Sequence, residues 1–451
     1  MNKKDPTKQF FNAEINRRDF LKTSATAVAG LYGLNYLAPN VAYAAGDVKF
    51  LTWAHFISAS DKELKRQAEE FSKKTGTKVT IDLLAHLQLP SKKASEAFAK
   101  SGHDIMMCDT GDPELYKDLL SDVSDLAEEL GRAHGGWYEF AKDLAIKDGK
   151  WKGIPWAINA YPLVVRTDLL KKVGASSIDT YDDLLNIGRK LKKMGHPVGL
   201  GLSHAADPSI TCHCVLWAFG GKFVEADSKT IAIDSAETAK ALAYMKKLFE
   251  EAMDPGVLSW DDASNNRFIL SGKGSIVQNP PSIYWVAKVK EIKVDGKPLT
   301  DLLDHFIPPE GPAGRFHSGY PWILGVWAFA NNIKEAKDFL RFHFSSENFN
   351  KWIIAGDGYN MPLLREFEAN PIFDEDPKYR FTRKVGEYTR IQGYPGKPTK
   401  YSQIAGDLYI IPDMFAYAAS GRKSIPEAIK WAEKELKLVY AGQKTAQPEK
   451  K

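Results

Sequence analysis

From Val48 onward the apolar residues follow two alternating periods. Val79, Ile81 and Leu83 stand at every second position and predict a half-buried strand over 78–84. Just before it, Leu64, Ala68 and Phe71 recur at helical spacing, with Ser60 and Glu63 placed as a capping box and Gly76 as the stop. The run VKFLTW at 48–53 predicts a first strand, and the residues at 103–108 a third, after a helix that ends near Gly102. That third strand stops at Asp109-Thr110-Gly111-Asp112-Pro113, where Asp112 can cap a helix that takes Pro113 in its first turn. Strand, helix, strand order with short links predicts an α/β fold with a mainly parallel sheet and helices on both faces. Ligands approach such sheets at the carboxyl ends of the strands, which singles out Trp53, His55, Asp109 and Thr110.

The pattern breaks at Lys152 to Gly174, where Trp156, Asn159 and Tyr161 stand between Pro155 and Pro162 and an apolar run follows at Leu163 to Val165. Two prolines remove two amide donors and hold the chain extended, so this stretch suits a crossing between two bodies better than the middle of a sheet. A second Pro/Gly cluster, 306–322, is a second candidate crossing. Between and after them the alternation continues: helices over 182–193, 236–253 and 333–346, strands over 274–278 and 323–330, and a helical finish over 409–438. Residues 443–451 are polar and are expected to be a disordered tail.

Length turns this pattern into two lobes, because 451 residues exceed what a single core usually organises. The first 44 residues stand outside it. Arg17-Arg18-Asp19-Phe20-Leu21-Lys22, a mildly apolar stretch over 23–37 and Ala42-Tyr43-Ala44 form the layout of a twin-arginine export signal cleaved after Ala44. The segment holds six Lys or Arg and three Asp or Glu, so its loss takes the formal charge from +4 to +1. A near-neutral mature chain gives no basis for nucleic acid as a partner. Cys108, Cys212 and Cys214 read as packing residues, since Cys212 and Cys214 are spaced too closely for the usual zinc pairs. No metal or cofactor is expected. HExxH, GxSxG and the phosphate loop GxxxxGK[ST] are all missing, so the chain reads as a binder and not an enzyme.

Over residues 48–440 the chain resembles the extracellular solute-binding proteins of bacterial ABC importers, in the carbohydrate-binding group that includes maltose-binding protein. The likeness is carried, in the family's order, by FSKKTGTKVTI, HDIMMCDTGDPELYKDLLSDV, GKWKGIPWAINAYPLVVRTDLLKKVG, GGKFVEADSKTIAIDSAETAKALAYMKKLFE, LSGKGSIVQNPP and ASGRKSIPEAIKWAEKEL. The resemblance implies two α/β lobes joined by hinge crossings, a helical carboxyl-terminal part and a ligand held between the lobes. It assigns 45–157 with 318–366 to the first lobe and 158–317 with 367–442 to the second. Further implications are a periplasmic monomer, a small ligand of the neutral carbohydrate class and delivery to permease subunits of the inner membrane.

Carried over by position, the family's cleft uses Trp53, His55, Asp109, Thr110, Trp156, Asn159, Tyr161, Asn279, Ser282, Tyr284, Trp285, His317, Tyr320, Trp322 and Tyr409. Asn159 stands where maltose-binding protein has an acid, and Ser282 where it has an aromatic residue. The residue types fit a sugar, whose C–H faces meet flat rings and whose hydroxyls need Asp, Asn or His partners. Clustered Trp and Tyr would equally cage a quaternary ammonium compound, and an exported carbohydrate-active enzyme is the third reading.

Overall fold

The computed structural model describes residues 46–443, so the expected export signal and residues 444–451 of the expected tail lie outside the described residues. The described residues belong to one compact unit. Its first three strands, β1 (Val48–Trp53), β2 (Val79–Leu84) and β3 (Ile105–Cys108), pair in parallel with Val48 opposite Val79 and Phe50 opposite Ile105. Helix α1 (Ser58–Thr75) returns the chain from β1 to β2, burying Leu64, Ala68 and Phe71, and Gly76 at φ +79° closes it. It begins three residues earlier than the capping box predicts, so Ser60 sits inside the helix with its hydroxyl buried and unbonded. Helix α2 (Leu89–Ala99) covers the return from β2 to β3.

The Pro-rich stretch departs from expectation. β4 (Ile154–Ala160) is not a crossing but an inner strand of the first sheet, and all seven of its residues are buried. The prolines are accommodated by register: the neighbouring strand shifts between Trp322 and Ile323, opposite Pro155, and such an irregularity tolerates a missing amide donor. The passage to the second sheet is confined to Tyr161-Pro162, after which β5 (Leu163–Arg166) runs antiparallel to its neighbours. The sheets thus change at residue 161, four residues beyond the expected end of the first lobe's opening segment.

β6 (Val198–Gly199), β7 (Ile276–Gln278) and β8 (Leu303–Phe306) complete a four-stranded second sheet in the order β8-β5-β7-β6. Its helices include α3 (Ala206–Ala218), α4 (Ala236–Ala252), α5 (Ser264–Leu270) and α6 (Ser282–Val289). The chain then re-enters the first sheet as β9 (Gly319–Val326), inserted between β3 and β4, and later as β10 (Asn360–Pro362) on the outer edge of β4. Tyr320 and Trp322 therefore lie within a strand and not on the expected second crossing, which is taken up by a short hairpin pairing Glu310 with Arg315. The parallel pairing predicted from the opening strands holds for β1, β2 and β3 and for β6 with β7, whereas every strand that arrives from the other lobe pairs antiparallel. Between β9 and β10 run α7 (Ile333–His343) and α8 (Ser346–Ala355).

The helical finish is not one helix. α9 (Lys400–Asp407), α10 (Ile410–Ala419) and α11 (Ile425–Tyr440) are separate, with Tyr409 in the left-handed region (φ +50°) breaking the first pair and Gly421 (φ +71°) following the second. Ser424 caps α11 by accepting the Glu427 amide, with Glu427 bonding back. Between 365 and 391, side chains pack toward both sheets: Phe367 on Phe349 of the first lobe, Tyr379 on Tyr284 and His305 of the second. All three thiols are free and buried. No helix among the described residues is long and apolar enough to cross a membrane.

Candidate functional site

Register brings two sheet edges face to face across Tyr161. On the first sheet, β1 ends at Trp53 and β3 at Cys108, while β9 and β10 begin beside them, so Trp53, Asp109, Tyr320, Trp322 and Tyr359 share one edge. On the second sheet, β7 ends at Gln278 and β6 at Gly199, which sends Asn279 and the segment Ser203–Asp207 toward the same gap. Tyr161 is tied to both crossings. Its amide donates to His317 Nε2 (2.9 Å), its carbonyl accepts from Gln278 (3.1 Å), and its hydroxyl donates to Asp207 (2.9 Å).

Rings line the gap. Trp53 lies 4.6 Å from Trp322, 5.0 Å from His55 and 6.1 Å from His86. Tyr359 stacks on Phe56 at 5.9 Å, and Phe56 meets Trp285 of the second lobe at the same separation. Tyr320 lies 6.0 Å from Tyr161, and Tyr409 packs 4.6 Å from His204. Among these, Trp53 Nε1 is buried without a partner, and the hydroxyls of Thr110, Tyr320, Tyr359 and Tyr409 have none among the described residues.

Several residues expected in the cleft are held elsewhere. Trp156 is 2% exposed, stacked 4.7 Å from Trp352, with its indole N–H donating to His343 (2.9 Å). It is core, because it points onto the sheet face that α8 covers. His55 uses both ring nitrogens internally: Nδ1 accepts the Ile57 amide (2.9 Å) and Nε2 donates to Asn360 (2.9 Å). His317 is fully buried, accepting from Tyr161 and donating to Thr389 (2.8 Å), so it braces the hinge. Asn159 bonds the Tyr359 carbonyl (3.2 Å). Asn279 and Ser282 are consumed in a second-lobe network with Asn265 and Asn266. Tyr284 points away, its hydroxyl on Asp376 (2.8 Å). Trp322 is 3% exposed and supports Trp53 from beneath.

The expected cap residue Asp112 instead faces a lysine that the periodicity of α2 conceals. Lys93 is 1% exposed; it reaches Asp109 (2.8 Å) and Asp112, and His86 holds the other Asp109 oxygen (2.9 Å). Burial pushes the Asp109 carboxyl up, but Lys93 and His86 outweigh it and hold it below the usual carboxylate range. Across the gap, Gln403 and Asp407 of α9 approach this cluster: a Cβ on Gly111 would lie 2.5 Å from that of Gln403. Burial, and then the nearby Asp109 and Asp112, raise the Asp407 carboxyl to about 6. Asp207 is a further residue at the gap that the sequence analysis does not single out. Its carboxylate accepts from Tyr161 and from Asn265 (2.7 Å).

Burial also sets an acid limit. Desolvation lowers His55 to about 4, and His317 and His343 to about 3. A histidine whose folded pKa is depressed contributes stability above its unfolded value, near 6.5, that is lost as pH falls toward the folded value. Thermal denaturation of the ligand-free protein is expected to show a falling melting temperature from about pH 6.5 to about pH 4. An unchanged value across that window would contradict the buried neutral state.

Comparison with known proteins agrees with this architecture. A family model described as bacterial extracellular solute-binding protein matches residues 66–382. A relative from Deinococcus radiodurans, described as "Probable ABC transporter-binding protein", is 25% identical over 403 residues, spanning 83% of this chain and 89% of its own. Among solved structures, maltose-bound T. maritima MalE3 superposes with a TM-score of 0.71 at 20% identity, covering 87% of this chain and 99% of that one. The GacH receptor of Streptomyces glaucescens, solved unliganded and with acarbose, gives 0.72 at 19% identity, covering 89% and 100%. At such identities these two likenesses carry the two-lobed fold alone.

Proposed function

We propose that this chain, which belongs to the family of bacterial extracellular solute-binding proteins, captures a sugar, oligosaccharide or polyol between its lobes and passes it to an ABC permease in the inner membrane. The observation that carries the ligand class is the set of unpaired hydrogen-bonding groups set among rings, namely Trp53 Nε1 and the hydroxyls of Thr110, Tyr320, Tyr359 and Tyr409. A sugar supplies what such an arrangement lacks: hydroxyls for the donors and C–H faces for the rings. Maltose and acarbose are the ligands named for two structural neighbours, which supports the same class. Asp109, already held by Lys93 and His86, is placed to accept a ligand hydroxyl as an ionised carboxylate.

Binding should close the lobes about Tyr161, as hinge closure traps ligands in two-lobed receptors. Trp53→Ala is expected to remove about 1.5 to 3 kcal/mol of apolar contact, a loss of roughly tenfold to a hundredfold in affinity. Tyr320→Phe, which deletes one hydroxyl bond, should cost about 1 kcal/mol. Both variants should keep the ligand-free melting temperature. Calorimetric titration with mono- and oligosaccharides, with scattering to follow closure and product analysis to detect turnover, tests the reading. Unaltered affinity in both variants, or conversion of the sugar, would overturn it.

The export route follows from Arg17-Arg18. Changing both to Lys should strand the precursor in the cytoplasm, read by fractionation; efficient export of that variant would exclude the twin-arginine route.

A further inference from the structure

Among the described residues no cation pairs with the Asp207 carboxylate. It lies in the first turn of α3, where its own amide donates to Asp262 (2.9 Å) and its oxygens accept from the Tyr161 hydroxyl and the Asn265 amide. Every other group that reaches it electrostatically is acidic or phenolic: Asp262 from the loop before α5, Tyr161 from the crossing, Tyr320 from β9 and Tyr359 from the segment before β10. His204, nearest in sequence, is engaged with Asp413 (3.0 Å). Tyr359 is 9% exposed, and its hydroxyl has no partner among the described residues. A half-buried carboxylate beside a second carboxylate is unfavourable unless a proton or a positive charge completes it. Tyrosine rings around it add attraction for a cation.

We infer that Asp207 receives a positively charged nitrogen of the bound solute, so that the ligand is a hydroxyl-rich compound bearing a basic amine. The inference rests on the carbohydrate reading and narrows it. The free carboxyl is raised to about 7, by burial first and by Asp262 second, so the charge that would hold an amine is present above neutrality and is lost as pH falls. Nearby phenols stay neutral throughout, because burial raises Tyr161 and Tyr320 well above their ordinary values.

Matched probes differing only in the basic nitrogen provide the test: 1-deoxynojirimycin against 1-deoxyglucose, glucosamine against glucose, and galactosamine against galactose. Each is titrated calorimetrically into the full mature chain. In at least one pair the amine should bind about tenfold more tightly, since a charge-assisted bond is roughly twice as strong as a neutral one. That advantage should be greatest near neutrality, where carboxylate and ammonium coexist, shrink as pH falls to about 5.5, and vanish in Asp207→Asn. Asp207→Ser serves if the Asn variant fails to fold. Equal or tighter binding of the neutral member in every pair, or an amine preference that survives loss of Asp207, overturns the inference while leaving the carbohydrate reading standing. Silence toward every probe and toward neutral oligosaccharides overturns both.

Discussion

Trp156→Ala is expected to destabilise the ligand-free protein by about 3 to 5 kcal/mol, the range for deleting a large aromatic side chain from a packed core. The indole stacks on Trp352 and lies 5.9 Å from Phe50, so its removal opens a void between β4 and the helices over it. It also strips His343 Nε2 of its donor, and His343 Nδ1 holds Gln67 (2.8 Å), which in turn bonds the Asn348 carbonyl (2.9 Å). Trp156→Phe preserves most of the stack and loses the bond, so it should fall between wild type and Ala. Chemical denaturation without ligand measures both. Should Trp156→Ala retain full stability and lose sugar affinity instead, the residue faces ligand and the placement of β4 is wrong.

Lys93→Met is expected to have an effect nearly as large. It leaves Asp109 and Asp112 facing each other without their shared cation, and removing one partner of a buried ion pair costs about 3 to 5 kcal/mol. The lower part of that range is appropriate because the Asp109 side chain is 23% exposed and water screens it. Adding Asp112→Asn removes one of the stranded charges, so the double variant should recover a substantial part of the loss. A single variant as stable as the parent, or no recovery in the double, would mean that the cluster is not electrostatically coupled.

The periodic parts of the chain were legible in advance: the α1 helix with its Gly76 stop, β1 to β3, and the parallel pairing among them. Trp285 and Tyr409 come from the resemblance alone, whereas Trp53, Asp109 and Thr110 stand out in the sequence as strand ends and Tyr161 and Tyr320 as borders of Pro/Gly breaks. Trp156 could not be told from them, since a tryptophan between two prolines looks like a loop residue until its pairing partner is known. Pro155 misled for the same reason: the register shift that accommodates it belongs to residues 322 and 323. Lys93 looks like any solvated helix lysine, and only the return of α2 over β3 shows which carboxylates it meets. Tyr359 and Phe56 carry no local signal, because their role depends on two segments about 300 residues apart in the chain.

The position of β9 has a consequence for how the molecule is made. This strand lies between β3 and β4, yet it is encoded more than 150 residues after β4. While the ribosome completes the intervening second lobe, at about 5 to 20 residues per second, the first sheet has no partner for the inner edge of β3, Ile105–Cys108. An unpaired apolar edge invites pairing with other chains, so a nascent polypeptide needs shelter for roughly ten to thirty seconds. Neither lobe can mature as an independent product of early translation, and a fragment ending before residue 319 should be an aggregation hazard and not half a receptor. Translocation of a finished fold by the proposed twin-arginine route would confine that hazard to the compartment where the chain is synthesised.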